Sequence, residues 1–357
     1  MRKETFSSKI IGWYQTNHRN LPWRQTTDPY KIWLSEVMLQ QTRVAQGLPY
    51  YERFIKSFPT IFDLASASEQ NVLRLWQGLG YYSRARNLHR CARVVVENFN
   101  GNFPTSLKEL IKLPGVGDYT GAAIASIAFR EPVAVVDGNV FRVLARIFGI
   151  ETDIASNEGK KYFFSLATQL IDKNRPDLFN QAMMEFGALH CLPKKPKCSG
   201  CIFSISCEAY QKNLQSVLPL KSNKVKIKTR YFYYFIVRNK KKILMKQRTE
   251  KDIWRGLNDF YLRETERRQK PEVLIRTDRL LANSVIVGES KPYKHMLTHQ
   301  KLVVRFITTQ SPMTKKMELV INKMGLKWFS KRQIEAIPKP ILIDRFLKEK
   351  IHDQDFW

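Results

Sequence analysis

The sequence predicts a multidomain protein in which an all-α domain is followed by a smaller α+β domain. Up to about residue 210, apolar residues recur at three- and four-residue spacings between short Gly and Pro breaks, which indicates packed helices. Beyond a basic stretch the pattern changes to runs of aromatic and β-branched residues, which are typical of strands. The length of 357 residues fits two domains of roughly 150 residues each. We predict a helical domain at 1–207, a basic linker at 208–230 and a second domain at 231–357.

The helical domain has its clearest helix start at Asp28-Pro29, where an acidic N-cap precedes Pro at the first helical position. We predict one helix from there to about Val44. Further helices are predicted at residues 49–57, 69–77, 83–98, 106–112, 119–129, 139–148, 158–172 and 178–190. In the second domain we predict strands at 231–237, 243–245, 284–287 and 302–308, and a closing helix at 341–349.

A strong positive charge accompanies this fold. The chain has 60 Lys and Arg against 32 Asp and Glu, a formal net charge of +28, and eleven of the basic residues lie in 221–249, which holds no acid. Such a charge predicts a polyanionic partner, either nucleic acid or an anionic membrane surface. No apolar run reaches the length of about 18 residues that spans a membrane, so we expect no membrane integration. The first residues lack the apolar segment of a signal peptide, which predicts a cytoplasmic protein.

Four cysteines form the most specific local pattern, C-x6-C-x2-C-x5-C, at Cys191, Cys198, Cys201 and Cys207. Thiolates this close together favour one metal site over a disulfide framework. The spacing leaves zinc and an iron–sulfur cluster both open, because four-cysteine zinc sites usually pair two C-x2-C units and only one is present here. The fifth cysteine, Cys91, is predicted to be a small core residue.

The loop between the first two of these cysteines carries Lys194, Lys195 and Lys197. A metal site that folds the loop would turn these side chains outward, where they could contact DNA phosphates. The alternative is an ordinary solvated surface loop.

A glycine-rich turn, Leu113-Pro114-Gly115-Val116-Gly117, separates two predicted helices. Gly115 and Gly117 are expected to adopt backbone geometry closed to other residues and to leave N–H groups uncovered. Beside a helix N-terminus, these groups would form an anion site for a DNA phosphate. The alternative is a plain helix–helix turn.

Two acids stand out as candidates for chemistry. Glu36 has Ile32, Trp33 and Leu39 as helical neighbours, and such apolar surroundings should raise its pKa toward that of a general acid. The alternative is a half-buried Glu with its carboxyl group in solvent.

Asp137 follows the apolar run 133–136 and precedes a predicted helix, so we expect it to be an N-cap that stays ionised. A carboxylate held there could also stabilise positive charge on a DNA sugar. One acid and one anion suit cleavage of a glycosidic bond through an oxocarbenium-like state.

Taken together, several segments in order resemble the adenine DNA glycosylases of the MutY type, in the endonuclease III superfamily. The matching segments are Leu21-Pro22-Trp23-Arg24, residues 33–42, residues 76–82, the glycine-rich turn, Asp137-Gly138-Asn139-Val140, Phe179-Asn180-Gln181-Ala182 and the four cysteines. The resemblance implies an all-α helix-hairpin-helix glycosylase domain whose cysteines hold one [4Fe–4S] cluster.

The resemblance also implies roles for individual residues. Glu36 would protonate the adenine leaving group at N7, and Asp137 would stabilise the sugar cation. Tyr119 and Asn139 would line the catalytic site. The implied contacts to DNA bases come from Arg24 and Gln181 near the extruded adenine, and from Gln41 and Tyr81, which would wedge into the duplex beside the lesion.

The second half resembles the family's Nudix-like domain, which reads 8-oxoguanine opposite the adenine. The Nudix box is absent around Gly256–Arg268, so nucleotide hydrolysis is not expected. The lesion-reading loop would be Leu297-Thr298-His299, with Thr298 and His299 as contacts, although many relatives have Phe-Ser-His. Two alternatives are that Thr298 is an ordinary strand or turn residue and that His295 and His299 form a zinc pair on a helix.

The leading hypothesis is a monofunctional, monomeric glycosylase of base excision repair that acts on duplex DNA containing adenine opposite 8-oxoguanine or guanine in a bacterial nucleoid. A bifunctional pyrimidine-damage glycosylase/lyase on the same scaffold is disfavoured, because relatives of that type place a Schiff-base lysine where this chain has Tyr119. A non-catalytic DNA-binding or redox-sensing iron–sulfur protein is a third hypothesis, and it leaves Glu36 unexplained. A Nudix-type hydrolase is the fourth.

Overall fold

The structure is a computed structural model that describes residues 3–222, 227–350 and 356. It divides into two compact units, one formed by Met1–Ser66 with Asn87–Asn223 and the other by Ala67–Arg86 with Lys224–Trp357. Nothing in the sequence pattern indicates that residues 67–86 group with the second unit. The limits 1–207, 208–230 and 231–357 remain a prediction. Lys224 and Lys226 of the basic stretch lie outside the described residues.

The first unit is helical, and no strand occurs among its described residues. It contains two 3₁₀ turns, Pro22–Arg24 and Ser204–Ser206, and part of the helix α6 (Tyr82–Phe99), which begins in the second unit. Its other helices are α1 (Lys3–Asn17), α2 (Pro29–Leu39), α3 (Val44–Ser57), α4 (Ile61–Ser66), α7 (Leu107–Leu110), α8 (Asp118–Phe129), α9 (Gly138–Phe148), α10 (Asn157–Leu170), α11 (Pro176–Leu189) and α12 (Glu208–Gln211).

The start of α2 confirms the predicted cap, because the Asp28 side chain accepts a hydrogen bond from the Tyr30 N–H at 2.9 Å. Its predicted end near Val44 is wrong. The helix stops at Leu39, Gln41 takes a left-handed φ of 54°, and a new helix begins at Val44. The apolar periodicity continues across this break, so the pattern alone could not reveal it.

The core of the first unit joins α1, α9 and α11 to the cysteine loop. Phe6 stacks on Phe203 with ring centroids 5.0 Å apart, and Phe186 meets the same ring edge-on at 5.7 Å. Cys207 is buried in the same cluster. The cysteine loop is therefore anchored to α9 and α11, which carry the candidate site residues Asn139 and Gln181.

The second unit is built on a seven-stranded mixed sheet with the order β4-β6-β1-β3-β2-β7, in which β5 also pairs with β6. The strands are β1 (Lys228–Asn239), β2 (Lys242–Gln247), β3 (Asn258–Thr265), β4 (Val285–Glu289), β5 (Tyr293–Met296), β6 (Gln300–Gln310) and β7 (Lys327–Ser330). The helices are α5 (Glu69–Trp76), α13 (Pro271–Arg276), α14 (Lys315–Lys323), α15 (Lys331–Ala336) and α16 (Ile341–Glu349).

Both faces of this sheet are covered. Tyr233 and Ile307 belong to a core shared with α13 and α14, whereas Phe306 stacks on Phe346 of α16 with ring centroids 4.2 Å apart. Burial on two sides explains the unbroken apolar run of β1. An all-α unit followed by a smaller α+β unit is thus confirmed, as is the closing helix at 341–349.

Within the described residues, no helix is long and apolar enough to cross a membrane.

Candidate active site and its relatives

Glu36 lies on α2 and is only 7% exposed. Burial raises the pKa of its carboxyl group to about 7; the nearby Asp137 adds to the rise, while the Tyr119 hydrogen bond and the Arg24 charge oppose it. The Tyr119 hydroxyl donates to Oε2 at 2.7 Å. The predicted rise in pKa is confirmed, and the alternative of a carboxyl group in solvent is wrong.

Asp137 is the N-cap of α9 and accepts hydrogen bonds from the N–H groups of Asn139 and Val140, both at 2.8 Å. The Asn139 amide also donates to its Oδ2 at 2.7 Å, and Arg142 fixes that amide by donating to the Asn139 Oδ1 at 2.9 Å. The predicted cap is confirmed. Burial nevertheless has the larger effect and raises the pKa of Asp137, against the lowering effect of these hydrogen bonds.

Arg24 is held by a carboxylate that the sequence pattern did not reveal. Its guanidinium donates to Glu185 in two places, at 2.8 and 2.7 Å, and Arg19 contacts the same carboxylate. These hydrogen bonds lower the pKa of Glu185 to about 2 against the opposing effect of burial. Glu185 is one helical turn from Gln181 on α11, a spacing that could have marked it as a neighbour.

Gln181 is oriented by Tyr14, whose hydroxyl donates to the amide Oε1 at 3.0 Å. A cavity of about 170 Å³ is lined by Gln181 together with Arg24, Glu36, Asp137 and Asn139. The first unit thus brings together five of the predicted site residues. Tyr119 is connected to them by its hydrogen bond to Glu36.

A second cavity, of about 470 Å³, lies in the second unit and is lined by Tyr81, Leu297, Thr298 and His299, among others. The Tyr81 and Thr298 hydroxyls are 2.5 Å apart. Residues 297–299 join β5 to β6 in a tight hairpin, so Thr298 is an exposed turn residue. The helical zinc pair is wrong, because His295 is on β5 and His299 is in the turn.

Gln41, the other predicted wedge residue, is exposed in the break between α2 and α3. It belongs to the first unit, whereas Tyr81 belongs to the second.

The glycine-rich turn connects α7 to α8. Gly115 has a φ of +77°, and a Cβ there would approach the Asn87 Cβ to 2.6 Å, so this position requires glycine. The same prediction for Gly117 is wrong, because its φ of −97° and ψ of −178° are extended backbone that other residues adopt. A Cβ at Gly117 would also meet no atom within 4 Å.

Comparison with known proteins decides the family. The model of the HhH-GPD superfamily of base excision DNA repair proteins matches residues 34–167, and a NUDIX domain model matches residues 233–349. The adenine DNA glycosylase of Buchnera aphidicola subsp. Baizongia pistaciae is 34% identical over 354 residues, which cover 96% of this chain and 95% of that protein. The chain belongs to the adenine DNA glycosylase family.

Two further glycosylases are similar to part of the chain. The Mus musculus adenine DNA glycosylase is 48% identical over 216 residues, covering 58% of this chain and 42% of the mouse protein. The structure of a thermostable thymine-DNA glycosylase matches at a TM-score of 0.54 and 33% identity, covering 59% of this chain and 97% of that one. The protein is thus an N-glycosylase of base excision repair.

In this glycosylase two of the four cysteines, Cys191 and Cys207, contact Arg146. Arg146 lies 3.5 Å from the Cys191 sulfur through Nη1, and its carbonyl accepts from the Cys207 thiol at 3.3 Å. Burial raises the pKa of Cys201 to about 11, and the charges of Cys191, Cys207 and Cys198 contribute. Four soft thiol donors with a neighbouring cation fit a cluster of net negative charge. Even so, no three His, Cys, Asp or Glu side chains in the described part of the chain are arranged to hold a metal ion.

The lysines of this loop, Lys194, Lys195 and Lys197, are all exposed as predicted. Cys91 is fully buried, and burial raises the pKa of its thiol to about 12. It is therefore a core residue rather than a reactive thiol, which confirms the prediction.

Proposed function

We propose that this glycosylase removes adenine paired with 8-oxoguanine or guanine, with Glu36 as the general acid and Asp137 as the stabiliser of the sugar cation. The main support for the proposal is that the Glu36 and Asp137 carboxyl groups line the same cavity and that burial raises the pKa of each. A pKa of about 7 suits a group that must hold a proton at neutral pH and then release it.

In the proposed reaction the Glu36 carboxyl group gives its proton to N7 of adenine. The bond from the sugar C1′ to the base nitrogen then breaks, and its electron pair leaves with the base. Asp137, in its ionised form, offsets the positive charge that develops on the sugar. A water molecule adds to C1′ and gives a proton to the Glu36 carboxylate, which restores the starting acid.

The remaining residues of this cavity would bind and orient. Tyr119 and Asn139 each donate to one of the two acids and so fix where the proton and the negative charge lie. Gln181, whose Oε1 is already used by Tyr14, would offer its Nε2 donors to the base. Arg24, held by Glu185, would form the rigid wall beside it.

Lesion recognition is assigned to the second unit. Tyr81, Thr298 and His299 line its cavity with hydroxyl and imidazole groups that suit the hydrogen-bonding edge of an oxidised purine. Tyr81 and Gln41 would act as wedges that ease extrusion of the adenine. The backbone of the turn at Gly115 and Gly117 and the exposed Lys194, Lys195 and Lys197 would contact phosphates.

We assign one [4Fe–4S] cluster to Cys191, Cys198, Cys201 and Cys207. Bound there, the cluster would cross-link the four cysteines and so fix the conformation of the loop. The chain's own contribution is to present three lysines on that loop and to place the Arg146 guanidinium beside the Cys191 sulfur. Iron and sulfide analysis of the purified protein tests this, and loss of both from Cys198→Ser is the expected result.

The deciding experiment uses duplexes that contain adenine opposite 8-oxoguanine, guanine or thymine. Base release from the first two and not from the third is expected, and no release from either would overturn the proposal. We also expect no strand cleavage beyond that in buffer, because none of the residues that line the described cavity is a lysine. Substantial β-elimination would favour the lyase alternative. The purified protein should elute as a monomer in size-exclusion chromatography. We propose that it acts on the DNA of a bacterial nucleoid.

A further inference from the structure

The loop that precedes α6 holds an unusual backbone conformation. Gly78 and Gly80 have φ angles of 99° and 82°, and the next residue, Tyr81, has a φ of 50°. Glycine adopts such angles freely, but tyrosine does so only when the surrounding structure holds it there. Contacts around Tyr81 must therefore maintain this conformation.

The Gly80 carbonyl, in the peptide that leads into Tyr81, is fixed from two sides. It accepts a hydrogen bond from the Trp76 indole N–H at 2.9 Å and from Nη2 of Arg84 at 3.3 Å. Because the peptide unit is planar, fixing this oxygen also fixes the direction in which the chain enters Tyr81.

The Arg84 guanidinium contacts two aromatic rings. Its central carbon is 5.3 Å from the ring centroid of Trp76 and 5.3 Å from that of Tyr81. Trp76 is fully buried, Arg84 is 8% exposed and Tyr81 is 46% exposed. The cation therefore links a rigid internal ring to an exposed one.

The far end of Tyr81 is held as well, since its hydroxyl lies 2.5 Å from Oγ1 of Thr298. Burial lowers the pKa of Arg84 to about 10, so the guanidinium stays charged at neutral pH and keeps its attraction for both rings. The ring of Tyr81 is thus supported at its face by Arg84 and at its tip by Thr298.

The geometry points to Arg84 as the positioning residue of Tyr81, one that holds the tyrosine ring ready for insertion before DNA is bound. This inference rests on the proposed role of Tyr81 as a wedge. A ring fixed in advance loses less conformational freedom on binding, so the contact should appear as affinity for the distorted duplex. Arg84 itself would touch neither the base nor the sugar.

The test uses Arg84→Met, which keeps much of the side-chain length but removes the charge, the planar group and the donors. The probe is a duplex with 2′-fluoroadenosine, whose sugar cation forms too poorly for excision, opposite 8-oxoguanine and next to 2-aminopurine. We expect binding to weaken about tenfold and the fluorescence rise on unstacking to shrink. In a Tyr81→Ala background, Arg84→Met should change neither quantity further.

Arg93→Met is the matched control, because Arg93 is exposed on the same helix, and it should change binding less than about twofold. If Arg84→Met does not fold by circular dichroism, Arg84→Lys takes its place, since lysine keeps the charge but cannot stack as a plane. Wild-type binding and fluorescence in the folded variant, or an equal loss in the Tyr81→Ala background, would overturn the inference. Failure of the wild-type protein to excise adenine would instead count against the proposed function.

Discussion

The two cavities of this protein differ in how far their polar side chains are exposed to solvent. The cavity in the first unit is small, about 170 Å³, and two of the acids that line it, Glu36 and Asp137, have pKa values raised by burial. The cavity in the second unit is larger, about 470 Å³, and is lined by exposed groups such as Tyr81 and Thr298. Burial changes proton affinity and so enables chemistry, whereas exposed hydroxyls keep their donors and acceptors available to a partner.

The largest effect is expected from substitution of Glu36 in the first cavity. Glu36→Gln preserves shape but cannot give up a proton, so we expect adenine release to fall about 10²- to 10⁴-fold while duplex binding persists. Single-turnover excision and equilibrium binding measure the two effects. Glu52→Gln, the same change at an exposed site on α3, is the control and should have no effect. Full activity of Glu36→Gln would rule out the mechanism.

Asp137→Asn separates the structural from the electrostatic role of the second acid. Asparagine caps helices about as well as aspartate, so Tm should hardly change, but loss of the charge should slow excision about 10²-fold. Asp28→Asn makes the same change at the N-cap of α2 and should leave the rate unaltered. Equal losses in both variants would show that capping alone explains Asp137.

The pH dependence of excision should follow the proton on Glu36. With a pKa of about 7, the acid is protonated below that pH, and the single-turnover rate should fall about tenfold per unit above it. Tyr119→Phe removes a donor that lowers this pKa, so the descending limb should move to higher pH. A flat profile from pH 5 to 9 would contradict the assignment of Glu36 as the acid.

The smallest effect is expected in the second cavity. Thr298→Ala removes one exposed hydroxyl, and the preference for adenine opposite 8-oxoguanine over adenine opposite guanine should fall about threefold to tenfold. Thr298→Ser keeps the hydroxyl and should retain the preference. An unchanged ratio of excision rates in the alanine variant would remove Thr298 from lesion recognition.

Local sequence predicts the two acids of the catalytic cavity better than it predicts the residues that hold the cavity's side chains in place. Glu36 and Asp137 could be placed because helical periodicity and N-cap preference depend on nearby residues. The contact of Tyr119 with Glu36 joins residues 83 positions apart, and that of Arg24 with Glu185 joins residues 161 apart. Spacing carries no information at such distances, so Glu185 was missed and Tyr119 was found only through the family resemblance.

The second unit shows the same limit. Strand β3 begins at Asn258-Asp259, a polar start without the apolar pattern of its neighbours, and it was not predicted. Asp259 is nevertheless fully buried because Arg248 pairs with it at 2.8 Å. A strand whose buried charge depends on a partner from another segment cannot be recognised by apolar alternation.

The burial that makes Glu36 an acid also weakens the fold. In the unfolded chain its pKa is near 4.5 and in the folded chain about 7, so only the folded state holds the proton between these values. The contribution of Glu36 to stability therefore declines as pH rises through this window, by about 3 kcal/mol in total, and its loss is complete above pH 7. Glu36→Gln should raise Tm at pH 8 and leave it unchanged at pH 4. The contribution of Glu36 to stability is thus least favourable at the alkaline end of this range, where its charged carboxylate is buried.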